Sequence, residues 1–464
     1  MSEKSAGLPM TAKWDPEKLQ QEEAYLAEVE SKPFFGRIRG YMKLTGPAWL
    51  QSAMTLGAGS AAASVIAGVS FGYKLLWVQP LAMLLGIAML GALGNVTLTK
   101  GERPYRSISR ELAPWVAFLW ALGSIVASII WHFPQYGLVG GAAADLAQLA
   151  GVASDSGIAN YVAKFGAGAI ILSLSILVTW NYGSNTRGIK IYEGFLRWTI
   201  RTVIIAFLLV VLYTGVNWIE LFKGFFTFQI PDVDGVYMVI LGAFGAAVGI
   251  NMTILYPYSI LAKGWGKTHK GLSRFDLFSS MFVPYVIVTS LVIIVMAEEI
   301  YDPALAAGVR TDLRPVDAAA ALGSVLGSTL GRVIFDLGLI GMACGAISTH
   351  MVVCGFTFCE MFGLEYTTRR YRLFTLAPAI GILGVAFKYP LWMPVAASAI
   401  CLTLLPIAYI AFFLMNNKRS YLGDAVGSGV KRLAFNAVLV IAIVAACVGS
   451  GVLIKTKVID VIFP

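Results

Sequence analysis

The sequence TLGAGS (residues 55–60) lies in the middle of an apolar segment that extends from about residue 44 to residue 69. This stretch contains two glycines beside a threonine and a serine, and glycine is about 1 kcal/mol less favourable than alanine inside a helix. Backbone groups that leave a helix within a membrane must find partners inside the protein. The stretch therefore predicts either a close-packing surface or a point where a spanning helix unwinds to bind a ligand.

A second apolar segment, residues 237–262, contains a similar interruption, GINMT at residues 249–253. Paired interruptions at corresponding positions in two halves of a chain indicate a substrate site near the midplane of a secondary transporter. The amide and the hydroxyl beside Gly249 favour that interpretation over the alternative, in which the glycines only permit close helix packing. The predicted substrate-binding residues are Thr55, Gly57, Gly59, Ser60, Gly249, Asn251 and Thr253.

The composition indicates an integral membrane protein. Of the 464 residues, 58% are hydrophobic and 13% are charged, whereas soluble proteins carry about 25% charged residues. The net charge of +9 then concerns the placement of loops, because basic residues of membrane proteins collect in the cytoplasm. No nucleic-acid-binding motif is found in the sequence, and no nucleic-acid partner is expected.

Eleven apolar segments of about 20 residues are expected to cross the membrane. They lie near residues 44–69, 73–99, 114–132, 159–180, 194–216, 237–262, 276–297, 332–361, 371–388, 390–414 and 431–454. Basic residues such as Arg103, Lys190, Lys263, Arg369 and Lys418 follow every second segment, which places those loops and the N-terminus in the cytoplasm. Without a targeting signal, the inner (plasma) membrane is the expected location.

Two repeats of five segments explain the spacing of the two interruptions, since an odd number of segments inverts the second copy. The expected organisation is a cytoplasmic tail over residues 1–40, a transporter domain over residues 41–454 and a short tail over residues 455–464. Within the domain, repeat one covers about residues 44–216, repeat two about 237–414, and an extra helix about 431–454. The glycine-rich stretch at residues 315–330 is expected to form an interfacial helix or an ordered external segment.

Several short runs are similar to segments of the Nramp family of metal transporters. They are GPAWL (46–50), GYKLLW (72–77), LYPYS (255–259), LLPIA (404–408) and NKRSYLG (417–423). The resemblance extends over nearly the whole chain from about residue 40. It implies an all-α integral membrane protein of the LeuT type, with two inverted five-helix repeats and broken helices 1 and 6. It also implies metal cation transport by alternating access.

At the ligand positions the sequence departs from the family pattern. The first-segment motif Asp-Pro-Gly-Asn of the family falls on GAGS (57–60), so the aspartate is absent and Ser60 replaces the asparagine. The sixth-segment motif Met-Pro-His falls on NMT (251–253), and the tenth-segment glutamine falls on Leu404. Thioethers select soft transition metals, whereas amide and hydroxyl oxygens suit hard cations or neutral solutes. The resemblance thus indicates a divergent relative whose metal ligands are unknown.

Two classes of substrate remain open. One is a metal cation, such as a hydrated divalent magnesium ion, with a carboxylate supplied from another segment, because magnesium usually binds one or two carboxylates. The other is a neutral or zwitterionic polar organic solute held by the hydroxyls and the amide. An enzyme or receptor embedded in the membrane is not indicated, since the sequence shows no nucleophile–base pair and no Gly-rich phosphate loop. No cofactor is expected.

Asp336, His132 and His350 are the candidates for charge compensation or coupling, because ionisable residues within a membrane are functional hypotheses by default. The alternatives are an ion pair of Asp336 with Arg332 and core positions for both histidines. Histidine can carry protons near neutral pH. The family's sixth-segment histidine is Thr253 here, however, and beyond Arg372 at its start the ninth segment contains no arginine, so weak or absent proton coupling is expected. The protein is expected to be a monomer in the lipid bilayer.

Overall fold

A computed structural model describes residues 16–154, 157–180, 187–303, 308–364, 368–387 and 390–456. Every regular element within these ranges is helical. The α-helices of the first half are α1 (Pro16–Ser31), α2 (Phe34–Tyr41), α3 (Pro47–Thr55), α4 (Ala58–Phe71), α5 (Val78–Lys100), α6 (Pro104–Glu111), α7 (Pro114–Leu149), α8 (Ile158–Trp180), α9 (Arg187–Thr214) and α10 (Trp218–Phe226).

The second half continues with α11 (Val236–Ala247), α12 (Ile250–Ala262), α13 (Lys270–Leu277), α14 (Val283–Glu299), α15 (Pro315–Ala319), α16 (Gly323–Leu326), α17 (Ser328–Met361), α18 (Thr368–Thr375), α19 (Trp392–Leu402), α20 (Leu405–Asn417), α21 (Arg419–Leu422) and α22 (Gly429–Ile454). A π-helical turn at Phe278–Phe282 joins α13 to α14, and a 3₁₀ segment at Ala377–Ala386 follows α18.

The first span is broken where the sequence predicts it. α3 ends at Thr55, α4 begins at Ala58, and the two helices are bent by 49° relative to each other. Between them, Gly57 adopts an extended conformation with φ −85° and ψ −170°. Glycine is required at position 59 because a Cβ there would lie 2.1 Å from Cη2 of Trp131. The interruption therefore combines a real break with a very close approach of α7.

The sixth span is also broken, as predicted. Val248 and Gly249 are extended and separate α11 from α12. A Cβ on Gly249 would lie 2.6 Å from Oδ1 of Asn251. The glycine therefore lets the Asn251 side chain fold back over the start of α12.

A third break, in the tenth span, was not predicted. α19 and α20 meet at an angle of 45°, and Pro406 lies in the first turn of α20. Proline is well tolerated in the first turn of a helix, and here it permits a new helix to begin at Leu405. The apolar residues of this segment gave no sign of the bend.

The predicted number of spans remains a prediction. Within the described ranges, seven helices are long and apolar enough to cross a membrane, or nine if each of the two bent pairs is one span. The predicted spans that are not among the nine correspond to α9 and to the segment Ala377–Ala386. The latter is only about 20 Å long at the rise of a 3₁₀ helix, less than the roughly 30 Å hydrocarbon core of a bilayer.

The third predicted span, residues 114–132, was too short. α7 continues through Pro134 to Leu149 and packs along α17 and the 3₁₀ segment. Proline usually ends a helix, but within a membrane protein neighbouring groups can satisfy the backbone that it frees. The glycines of the 3₁₀ segment permit this packing, because a Cβ on Gly384 would lie 2.2 Å from the carbonyl oxygen of Phe133.

Loops that were predicted to lie in the cytoplasm meet at one face of the structure. Nη1 of Arg103, after α5, lies 3.4 Å from Oε1 of Glu360 in α17, and Nζ of Lys418, after α20, lies 3.1 Å from Oε2 of Glu111. The side chain of Lys190 lies outside the described residues. At the opposite face, Nε of Arg332 donates to Oδ2 of Asp145 at 3.0 Å. This grouping agrees with the alternation of basic loops.

The segment before the first span, assigned to a cytoplasmic tail from the sequence, contains two packed helices. α1 and α2 precede it, and Leu26 and Val29 of α1 are buried with exposures of 2% and 0%. Because a Cβ on Gly40 would lie 2.4 Å from Cγ2 of Val29, α1 is packed closely on α2. The stretch at residues 315–330 forms α15, a 3₁₀ turn, α16 and the first residues of α17, and its interfacial or external position stays a prediction.

Candidate functional site

A small cavity lined by buried residues lies between the two broken spans. It offers about 20 Å³ to the centre of a water-sized sphere, which is room for one or two waters, since one water needs about 10–15 Å³. Five of the predicted binding residues line it: Thr55, Gly59, Ser60, Gly249 and Asn251. The breaks in the first and sixth spans therefore face the same space.

Hydroxyl groups hold the backbone around the breaks. Ser60 Oγ donates to the carbonyl oxygen of Thr55 at 2.6 Å and to that of Gly57 at 3.1 Å. Thr55 Oγ1 lies 3.2 Å from the carbonyl oxygen of Ala247 and 3.4 Å from Sδ of Met252. Carbonyls that the break would leave unsatisfied are thus bonded within the protein, and α3 is tied to both halves of the sixth span.

His350 joins the cavity from α17. Its Nδ1 lies 3.2 Å from Nδ2 of Asn251, and since an amide nitrogen donates, Nδ1 accepts. The ring of His132 lies behind it, with a centroid separation of 5.6 Å, and Nε2 of His132 donates to the carbonyl oxygen of Ile347 at 3.3 Å. The structure therefore places His350 at the cavity and His132 one layer further away.

Two predicted binding residues do not line the cavity. Thr253 Oγ1 accepts a hydrogen bond of 2.7 Å from Nε1 of Trp120 and donates to the carbonyl oxygen of Ile250, so its hydroxyl fastens the start of α12 to α7. At Gly57, a Cβ would lie 3.1 Å from Nε2 of Gln135, because that amide packs against the break. Both positions support the site from outside the space itself.

Sequence reasoning missed six residues that line the cavity: Met54, Trp131, Gln135, Gly245, Ala246 and Met252. Gln135 was overlooked because the third span was ended before it. Its Oε1 accepts from the backbone N–H of Ala58 at 3.4 Å, and a polar residue inside an uninterrupted apolar helix would have been the signal. The two methionines carried no signal, because they resemble ordinary core residues.

Asp336 does not reach the cavity. It lies fourteen residues before His350 in α17, a distance of about 21 Å along the helix axis. The expected partner, Arg332, pairs with Asp145 from α7. No carboxylate is found among the described residues that line the cavity, so the structure does not support a relocated acid there. The described ranges also contain no cluster of three or more His, Cys, Asp or Glu side chains that could hold a metal.

Two broken helices around a shared polar cavity define the class of secondary membrane transporters. The chain belongs to the Nramp family, because the family model described as "Natural resistance-associated macrophage protein-like" matches residues 48–451. This match confirms the resemblance to the Nramp family that the short sequence motifs indicated.

One sequence relative and two solved structures of other proteins are also similar to this chain. The "Divalent metal cation transporter MntH" of Caldanaerobacter subterraneus subsp. tengcongensis is 20% identical over 408 residues, which cover 85% of this chain and 90% of that protein. The structure of a manganese transporter from Eremococcus coleocola, in complex with an aromatic bis-isothiourea substituted compound, has a TM-score of 0.68 at 14% identity and covers 98% of this chain and 92% of that one. The structure of MhsT in complex with L-phenylalanine has a TM-score of 0.57 at 15% identity, with coverages of 87% and 98%.

These similarities confirm the all-α LeuT-type fold. They also confirm that the protein is a transporter rather than an enzyme, since the family and the relative are transporters. Because the similar structures share only 14% and 15% sequence identity with this chain, they establish the fold alone. The identity of the substrate is therefore inferred from the residues that line the cavity.

Proposed function

We propose that the protein carries a metal cation across the membrane by alternating access, and that the cavity between the broken spans is the substrate site. The observation that carries this proposal is the convergence of both breaks on one buried, polar space within a chain of the Nramp family. A site between two broken helices is where alternating access places its substrate. The name of the relative, which specifies divalent metal cations, supports the cation class.

The size of the cavity bears on the kind of cation. Magnesium usually keeps several waters and binds one or two carboxylates, whereas this cavity has room for one or two waters and no carboxylate among its described lining residues. Hydrated magnesium therefore fits poorly in this conformation. A cation that loses its waters and accepts neutral ligands fits better.

The organic solute remains the second candidate function. It is favoured by the neutral lining of the cavity and by the fold shared with MhsT, which was solved with L-phenylalanine. The cavity volume opposes it, because an amino acid is several times larger than a water. An organic substrate would need a wider conformation of the same site.

Uptake into proteoliposomes tests the proposal. Purified protein would be reconstituted, and saturable uptake would be measured for a panel of metal cations and for a panel of amino acids and nucleobases. We expect uptake of at least one metal cation, absent from protein-free liposomes. Saturable uptake of an organic solute with no metal uptake would contradict the proposal and favour the second candidate.

We also propose a two-repeat organisation, residues 44–216 and 237–414 with an extra helix at 431–454, in a monomer of the plasma membrane with a cytoplasmic N-terminus. The meeting of the basic loops at one face supports this orientation. Labelling of Asp234→Cys and Lys418→Cys variants, each in a Cys447→Ser background because Cys447 is exposed, in intact cells with a membrane-impermeant maleimide tests it, and only the first should react. Light scattering of the solubilised protein should give one 49.9 kDa chain per particle.

A further inference from the structure

We infer that the cavity takes a soft, singly charged cation of the copper(I) class, bound by thioether sulfur and imidazole nitrogen instead of carboxylate. This inference rests on the proposed function, because it names the cation that the same cavity would carry. Three soft or intermediate donors line the cavity from three helices: Met54 at the end of α3, Met252 in the first turn of α12 and His350 in α17.

The positions of these donors follow from contacts around the breaks. The hydrogen bond of 3.4 Å from Thr55 Oγ1 to Met252 Sδ holds the thioether at the junction of α3 and α12. Nδ1 of His350 accepts from Asn251, so this nitrogen is unprotonated, and a bound cation would take the place of that hydrogen bond. Thioethers select copper(I), and neutral imidazole also binds copper. Hard cations, by contrast, prefer carboxylate and carbonyl oxygen.

The charge of the lining favours a singly charged ion. The described side chains around the cavity are all neutral when His350 is unprotonated, since they include no acid, no lysine and no arginine. The cost of moving an ion out of water is large, and in a Born description it grows with the square of the charge. A divalent ion would meet that cost without an anion to offset it, whereas a singly charged soft ion gains covalent bonding to sulfur.

The size of the cavity agrees with a bare ion. A space of about 20 Å³ for the centre of a water-sized sphere excludes a cation with a full hydration shell. Copper(I) loses its waters readily to soft donors and takes few ligands. Silver(I) has the same charge and softness and does not change its oxidation state, so it is a convenient probe.

Metal selectivity of the full-length protein in proteoliposomes tests the inference. Uptake would be measured for copper(I) under ascorbate, silver(I), manganese(II) and magnesium(II). We expect saturable uptake of copper(I) and silver(I), mutual competition between them, and manganese(II) uptake at least tenfold slower. Uptake of manganese(II) or magnesium(II) that silver(I) does not inhibit would overturn the inference and leave the proposed function intact. No uptake of any metal would overturn both.

Two shape-preserving variants test the ligands. Met54→Leu and Met252→Leu remove sulfur while keeping an apolar side chain of similar volume. Each should weaken silver(I) binding by roughly tenfold or more, because the loss of a residue that only supports a metal ligand already lowers metal affinity by about that factor. Met89→Leu is the matched control, because Met89 is a fully buried methionine of α5 that does not line the cavity. Unchanged silver(I) affinity in both variants would overturn the inference. The wild-type selectivity stands as a test even if a variant fails to fold.

Discussion

Asn251 contacts two neighbours at once. Its Oδ1 accepts from the backbone N–H of Met252 at 3.0 Å, and its Nδ2 donates to His350. The side chain is 2% exposed. The Asn251 amide therefore bonds the first turn of α12 and also holds the imidazole beside the cavity. These two contacts support a role for Asn251 in substrate binding.

Asn251→Ala should weaken substrate binding while leaving the protein folded. The variant removes the hydrogen bond that orients the His350 ring and the bond to the N–H of Met252, at a cost of about 1 kcal/mol to stability. The KM for metal uptake should rise, and the melting temperature should change little. Asn95→Ala is the control, since Asn95 bonds Asn416 at 2.9 Å away from the cavity. An unchanged KM would mean that the break in the sixth span serves packing only.

Gly57→Asp would place an acid at the position where the family pattern has one. A Cβ there would lie 3.0 Å from the carbonyl oxygen of Met54 and 3.1 Å from Nε2 of Gln135, so overpacking by the single variant should cost about 1–3 kcal/mol. With Gln135→Ala added, the acid gains room, and manganese(II) uptake should rise relative to silver(I). Gln135→Ala alone is the control. No gain in manganese(II) transport would show that position 57 cannot supply a ligand here.

The sequence predicted the hydroxyl and amide side chains of the site better than its thioether side chains. Glycine breaks and hydroxyls stand out in an apolar segment, so Thr55, Ser60 and Asn251 were found. Met54 and Met252 were not, because a thioether that lines a cavity has the same hydropathy as one in the core. Only the fold shows that these methionines converge with His350.

At the scale of elements, one hydroxyl supports the break in the first span. Ser60 Oγ donates to the carbonyl oxygen of Thr55, the last residue of α3, at 2.6 Å, whereas the carbonyl oxygen of Gly57 also accepts from the N–H of Ala61 in α4.

Ser60→Ala should lower the free energy of unfolding by about 1–3 kcal/mol, the cost of a buried acceptor without a partner. Ser259→Ala should cost much less, since its hydroxyl only supplements a carbonyl within the regular helix α12. Thermal unfolding of both variants in the same detergent measures the difference. Equal losses would show that the Ser60 hydroxyl does not support the break.

The start of α3 is held by an acid from α13. Oδ1 of Asp276 accepts from the N–H of Gly46 at 3.1 Å, and Oδ2 accepts from the N–H of Ala48 at 2.9 Å. Lys263 lies at the same junction, where its Nζ donates to the carbonyl oxygen of Leu44 at 2.7 Å. These contacts close the predicted cytoplasmic side of the first span.

Asp276→Ala should therefore expose α3 to the cytoplasm and cost about 0.5–2 kcal/mol, as the loss of a helix cap does. The labelling rate of an Ala48→Cys reporter, in a Cys447→Ser background because Cys447 is exposed, should rise. Asp317→Ala removes the comparable cap of α15 at Arg314 and should not change that rate. Equal labelling with and without Asp276 would contradict the assignment.

Breaks in helices were predictable where glycine caused them and not where proline did. Gly57 and Gly249 indicated the breaks in the first and sixth spans. The third span was predicted to end before Pro134, but α7 continues through this proline. Pro406 lies at a bend that was not predicted. The effect of proline depends on whether neighbouring helices satisfy the freed backbone, and a sequence alone does not show its neighbours.

At the scale of the whole molecule, the resemblance to the Nramp family predicted the fold correctly, and the topology inferred from loop charges stays a prediction. The composition alone predicted only that the chain is a membrane protein with many helices. The number of spans could not be settled in this way, because the segment Ala377–Ala386 is a 3₁₀ helix that lies against α7, and hydropathy does not distinguish such a segment from a spanning helix.

Transport should be weakly coupled to protons or uncoupled. His350 and His132 are fully enclosed, and Asp336 lies far along α17 from the cavity. Metal uptake into liposomes that contain a pH-sensitive dye should leave the lumen at constant pH while the metal enters. Reproducible acidification that depends on the metal gradient would contradict this prediction.

The short helix α3 also bears on how the predicted cytoplasmic side could open. It has nine residues and is about 13.5 Å long. A rotation of α3 on the order of 5° about Leu56 would move its first residue by about 1.2 Å, and such a displacement directed away from Asp276 would stretch both contacts beyond hydrogen-bonding distance. The two contacts would then break together at the beginning of the rotation. Opening on this side would therefore require a threshold displacement and would not proceed by degrees.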